Sequence, residues 1–132
     1  MPTGRCHCGS VAYAFEGEPV RASICQCSDC ARCAGAHAVG WLAVRKESFR
    51  FTKGEPAVYR SSPGAERRFC RACGAGLTYV NEDVLPGIVD IQIATLDEPD
   101  AFPPRELIQC ADAPAWAATL HQLPRFARFP PG

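Results

Sequence analysis

Cys25-Gln26-Cys27-Ser28-Asp29-Cys30-Ala31-Arg32-Cys33 places four thiols in nine residues. Buried cysteine behaves as a small hydrophobe, but packing gives no reason for cysteines to cluster. A cluster of this density suits a soft metal ion, a disulfide system or redox chemistry. The chain holds nine cysteines in 132 residues. That number is odd, and Met1-Pro2-Thr3-Gly4-Arg5-Cys6 lacks the apolar stretch of an export signal. Thiols stay reduced in the cytoplasm, so the expectation is a soluble cytoplasmic protein whose cysteines hold metal.

The composition narrows the class further. Hydrophobic residues make up 47%, enough to bury the core of one ordinary domain, taken as residues 1–132. No apolar run is long enough to span a membrane. Acids and bases balance at 14 each and are interleaved, which argues against a nucleic-acid surface. Oligomeric state leaves no mark on the sequence.

Outward from the cluster, Val11–Glu16, Val20–Ile24, Ala38–Val44, Ser48–Thr52, Ala57–Ser61, Leu77–Val80 and Ile88–Ile93 read as short strands separated by Gly and Pro turns. Twelve prolines and eleven glycines leave little room for a long helix. The expected fold is mainly β, a packed pair of sheets or a partly open barrel with little helix. The last third is turn-rich, with a short helical turn expected at Ala115–Leu120.

Two further cysteine pairs flank the cluster. Cys6 and Cys8, two apart, would share one face of a strand. Cys70-Arg71-Ala72-Cys73-Gly74 has the form of a zinc knuckle; a redox Cys-x-x-Cys pair would need a helix start after it, which Gly74, Leu77 and Thr78 do not resemble. A structural zinc takes four ligands, and joining the two pairs supplies them. The alternative, Cys6 and Cys8 with two members of the cluster, strands the knuckle. Cys25, Cys27 and Cys30 then form a three-thiolate set with an open fourth position, suited to a soft thiol rather than to acidifying water. Cys33 has competing readings. As a fourth ligand it closes the second site and makes it structural; otherwise it is a resolving thiol or a packed one. Cys110 reads as a small buried residue, His37 and His121 as ordinary surface or core residues, and Asp29 as a solvated loop carboxylate. Arg32 and Arg71 read as cations that offset thiolate charge.

The linked motifs resemble a known family. Gly4-x-Cys6-x-Cys8-Gly9-x-Val11-x-Tyr13, Cys25-x-Cys27-x-x-Cys30-x-x-x-x-Gly35 and Arg68-Phe69-Cys70-x-x-Cys73-Gly74-x-x-Leu77 look like the glutathione-dependent formaldehyde-activating enzymes, which share the centromere-protein-V-like zinc domain. Thr95-Leu96-Asp97-Glu98-Pro99, Pro114-x-Trp116 and Leu123-Pro124-x-Phe126 extend the likeness over nearly the whole chain. The resemblance implies a β-tent-like fold of packed short antiparallel sheets and two Zn2+ per chain. One would be structural on Cys6, Cys8, Cys70 and Cys73, and the second would sit on Cys25, Cys27 and Cys30. It also implies a carbon–sulfur lyase reaction on a glutathione–formaldehyde adduct. Two departures stand out: Gln26 occupies a position that is often histidine, and Cys33 one that is usually not cysteine. The competing function is a non-catalytic zinc-binding module or a thiol redox sensor.

Overall fold

A computed structural model describes residues 1–132. Ten strands and one short α-helix make two sheets, and neither closes into a barrel. The strands are β1 (Thr3–Arg5), β2 (Ala12–Phe15), β3 (Arg21–Cys25), β4 (Val39–Arg45) and β5 (Phe49–Lys53), then β6 (Ala57–Ser62), β7 (Ala65–Phe69), β8 (Gly76–Asn81), β9 (Ile88–Gln92) and β10 (Leu107–Ile108). The small sheet runs β1-β2-β5 and the large one β10-β3-β4-β9-β8-β7-β6. Every pairing is antiparallel except β10 on β3, an edge strand the sequence did not signal. No helix is long and apolar enough to cross a membrane.

Side chains alternate between the two faces of a strand, and around β4 both faces of the large sheet are covered. On one face Leu42 and Val44 of β4 join Val89 and Ile91 of β9 and Leu77 of β8 against Val11, Tyr13 and Phe15 of the small sheet region, forming the main core. On the other face Val39 and Trp41 of β4 pack with Cys25, Cys30 and the edge of Tyr79. Residues 38–44 therefore read as an unbroken apolar run because β4 is buried on both sides.

Sequence reasoning missed β1, β7 and β10, and also α1 (Ser28–Ala34), which lies within the cysteine cluster. Its signals are local. The Cys27 sulfur accepts the Cys30 N–H as an N-cap, Asp29 sits in the first turn, and Gly35 ends the helix at φ 67° with its N–H donated to Ala31 O. The strand expected for Cys6 and Cys8 is also corrected. β1 stops at Arg5, and the two cysteines lie in a turn closed by Gly9 N–H to Cys6 O, with Gly9 at φ 81°. The helical turn expected near residue 115 is present as 3-10 structure over Ala115–Gln122.

Gly4 is buried where β1 crosses the Tyr13 phenol, whose oxygen pairs with Thr95 Oγ1 at 2.7 Å. A Cβ at Gly4 would fall inside that phenol and 2.7 Å from the Thr95 carbonyl. Gly4→Ala should therefore lower stability by about 1–3 kcal/mol, the usual range for overpacking, read as a lower urea midpoint at constant slope.

Candidate metal centres and cavity

The first cysteine group gathers Cys6 and Cys8 from the N-terminal turn with Cys70 and Cys73 from the knuckle between β7 and β8. All four sulfurs lie within 4.8 Å of one another; Cys6 and Cys8 are 3.7 Å apart, Cys8 and Cys70 3.8 Å. The edge of a tetrahedron with metal–sulfur bonds of about 2.3 Å is roughly 3.8 Å, so these spacings fit one zinc-sized ion. The local chain is already shaped for thiolates. Val11 N–H points at Cys6 Sγ (3.3 Å), Cys73 N–H at Cys70 Sγ (3.4 Å), and the Ser10 hydroxyl lies 3.0 Å from Cys8 Sγ and 3.3 Å from Cys70 Sγ. The Ser10 hydroxyl and the amides of Cys73 and Ala72 hold the Cys70 thiol down at about 6. Ligand counting favoured this pairing of N-terminus and knuckle, and the fold brings these four sulfurs together.

The second group is Cys25, Cys27 and Cys30, again within 4.8 Å. Cys25 ends β3, Cys27 caps α1, and Cys30 lies one turn into the helix. Burial pushes Cys25 up to about 12, whereas Cys27, although burial opposes it, is lowered by the Cys30 N–H at 3.2 Å. The three sulfurs form a soft, closely spaced set that suits a thiophilic metal. Cys33 lies one helical turn beyond Cys30 but is exposed and outside the group. Gln26, between Cys25 and Cys27, is buried and donates its backbone N–H to Ile108 O.

Three sequence readings are corrected here. Cys110 is exposed in a 3-10 turn beyond β10, rather than buried. Asp29 is not a free loop carboxylate: its Oδ2 accepts from Arg67 Nη2 at 3.0 Å. The cation beside the triad is Arg67, while Arg32 and Arg71 are exposed. Arg67 is 8% exposed, lies 3.7 Å from Cys30 Sγ through Nη2, donates Nε–H to Ser61 Oγ, and packs its guanidinium 4.7 Å above the Tyr79 ring. Its sequence signal is faint, an arginine two residues from buried Ala65 on the same strand face. Of the histidines, His37 stacks near Trp116, with ring centroids 5.0 Å apart.

A cavity of about 320 Å³ opens over the triad. Cys25, Cys27 and Cys30 form part of its wall, with Trp41, Tyr79 and Arg67 beside them and Ser23 and Asp90 also lining it. A second cavity of about 370 Å³ lies beyond Trp41 and Arg67 and includes Cys33.

The family model for the glutathione-dependent formaldehyde-activating enzyme matches residues 1–112. The chain belongs to that family. The match spans both cysteine groups and ends where the exposed C-terminal stretch with Trp116, Phe126 and Phe129 begins. Among curated proteins none matches the sequence. Among solved structures, a crystal structure of a Rhodobacter sphaeroides protein is similar, with TM-score 0.64 and 26% identity, covering 80% of this chain and 98% of that one.

Asp90 is half-buried and makes no ion pair, and burial pushes its carboxyl up to about 6 against the opposing pull of Arg21. The folded state thus favours the protonated acid. Its contribution to stability is full below about pH 4 and is lost as pH rises through about 6. Asp90→Asn should match the wild type in thermal unfolding at pH 4 and exceed it at pH 7.5, by on the order of 1–2 kcal/mol.

Proposed function

We propose that the protein is a single-domain, zinc-dependent carbon–sulfur lyase acting on the adduct of a thiol, glutathione, with an aldehyde such as formaldehyde. Two zinc ions per chain have separate tasks: Cys6, Cys8, Cys70 and Cys73 hold a structural one, and Cys25, Cys27 and Cys30 hold the second. The observation that carries this reading is a three-sulfur group with no fourth protein sulfur, set in a cavity wall. A structural zinc is closed by four protein ligands, whereas a catalytic one keeps a position for substrate. Nine unpaired cysteines also suit a reducing cytoplasmic setting.

A zinc in the triad would accept a soft thiol and keep it as thiolate near neutral pH. In the condensing direction the thiolate sulfur attacks the aldehyde carbon, a carbon–sulfur bond forms, and the oxygen takes a proton to give the hydroxymethyl thioether. Cleavage runs the same path backwards, with the electron pair returning to sulfur. The chain's own residues set the field for that exchange of charge. Arg67, fixed by Asp29, Ser61 and the Tyr79 face, is the cation nearest Cys30 and needs no reorganisation as negative charge passes between sulfur and oxygen. Trp41 and Tyr79 wall the cavity with apolar surface, which lowers the local dielectric and strengthens that field. Asp29 serves by holding Arg67, which leaves the proton to water in the cavity.

Metal analysis tests the assignment. Cys33→Ser should keep two zinc ions per chain and full lyase activity, whereas Cys30→Ser should lose one ion and at least about a hundredfold in rate while staying folded. Equal metal loss in the two variants, with no response to glutathione, would return the second site to a closed, structural role. Cys70→Ser should lose the structural ion, and with it the cooperative unfolding transition.

A further inference from the structure

β3 carries a hydroxyl whose open side is the triad cavity. Ser23 is 5% exposed and lines that cavity between Trp41, its partner across the strand pair, and Cys25. No fully enclosed side-chain oxygen or nitrogen in the chain lacks a partner. Ser23 Oγ bonds to no protein atom, so it is in contact with the cavity rather than sealed against the sheet. A hydroxyl withdrawn from bulk water is costly unless a partner meets it. Alanine would fill the same space without that cost, so the hydroxyl points to a ligand oxygen.

The other donors in the wall are engaged elsewhere. Arg67 is held by Asp29, Ser61 and the Cys30 sulfur. The Tyr79 phenol faces Asn81 on its own strand, and Gln109 is exposed. Ser23, by contrast, adjoins the sulfurs. It precedes Cys25 by two residues on β3, so both side chains leave one face, about 6.8 Å apart along the strand. In the four-cysteine group neighbouring sulfurs lie 3.7 and 3.8 Å apart. A substrate sulfur joining Cys25, Cys27 and Cys30 at that spacing fills the near half of the interval. The oxygen of a hydroxymethyl thioether, one carbon further, then comes within the O–H···O reach of about 2.7 Å from Ser23.

We infer that Ser23 is a catalytic residue that donates its O–H to the aldehyde-derived oxygen of the adduct. The inference rests on the lyase reading above and assigns the group that meets the oxygen. As sulfur attacks the carbon, the carbonyl electron pair moves onto oxygen. The Ser23 O–H holds that oxygen while cavity water supplies its proton. In cleavage water takes the proton back, the carbon–sulfur pair returns to sulfur, and the aldehyde oxygen keeps the Ser23 hydrogen bond until release. A fixed donor aimed at developing charge stabilises the transition state more than the ground state.

Kinetics and competition calorimetry on the zinc-loaded full chain test this. Ser23→Ala should lower kcat for adduct cleavage about a hundredfold, the effect of losing one such donor. Its KM, zinc content and glutathione affinity should stay within about twofold of the wild type. Ser23→Thr keeps the hydroxyl and should recover most of the rate. A readout without turnover is the affinity for S-hydroxymethylglutathione relative to S-ethylglutathione, which carries a methyl where the adduct has its hydroxyl. The wild type should favour the hydroxymethyl compound about fivefold, as one hydrogen bond allows, and Ser23→Ala should favour neither. A rate or a preference kept by Ser23→Ala overturns the inference and leaves the lyase reading standing. So does a rate loss that comes with loss of the second zinc or of glutathione binding, which would make Ser23 structural. A wild type that neither binds glutathione nor cleaves the adduct overturns both.

Discussion

The two-residue period of a β-strand is the constraint on which this molecule depends. Along β4, Leu42 and Val44 enter the main core, while Val39 and Trp41 on the opposite face pack against the cysteine triad. β9 divides in the same way, with Val89 and Ile91 inward and Asp90 toward the triad cavity. Core and candidate site are therefore two faces of one sheet. A register slip of one residue in either strand would exchange them, so the hydrophobic pattern that drives folding also aims the site residues.

Charge is the second organising element. Three thiolates around a divalent ion carry a formal negative charge, which is expensive to hold away from water. Arg67 lies beside Cys30 and is itself nearly buried, so its own desolvation is offset by Asp29, Ser61 and the Tyr79 face. At the N-terminal group the Arg5 guanidinium binds the Cys6 and His7 carbonyls, and the sulfurs themselves are met by backbone amides and the Ser10 hydroxyl. The contrast suits the two proposed tasks: a closed site solvated by fixed dipoles, and an open one whose field must act on a substrate.

Much of this was legible from the chain. The short strands were foretold by Gly and Pro punctuation and by apolar alternation, and their bounds fall within a residue or two of β2 to β6, β8 and β9. The union of Cys6 and Cys8 with Cys70 and Cys73 followed from needing four ligands, and the structure brings those sulfurs together. α1 was not read because seven residues give too short a window for a helical period, and its N-cap is a cysteine rather than the usual Ser, Thr, Asp or Asn. β10 was missed because two residues pairing in parallel on an edge carry no period at all.

Ligand type and spacing are properties of the chain, since thiolates two or three residues apart can reach one ion whatever surrounds them. The sequence by itself therefore determined the local sets, Cys6 with Cys8, Cys25 with Cys27 and Cys30, and Cys70 with Cys73, and that the fold would be built from short strands. Only the tertiary structure decided which residues meet those groups from a distance. Arg67 reaches the triad from β7, Asp29 turns to hold it, Asp90 enters the cavity from β9, and Cys33 stays outside on the exposed side of α1. These placements depend on strand order and on which face each residue takes, quantities set by the packing of the whole sheet and by no local stretch of it.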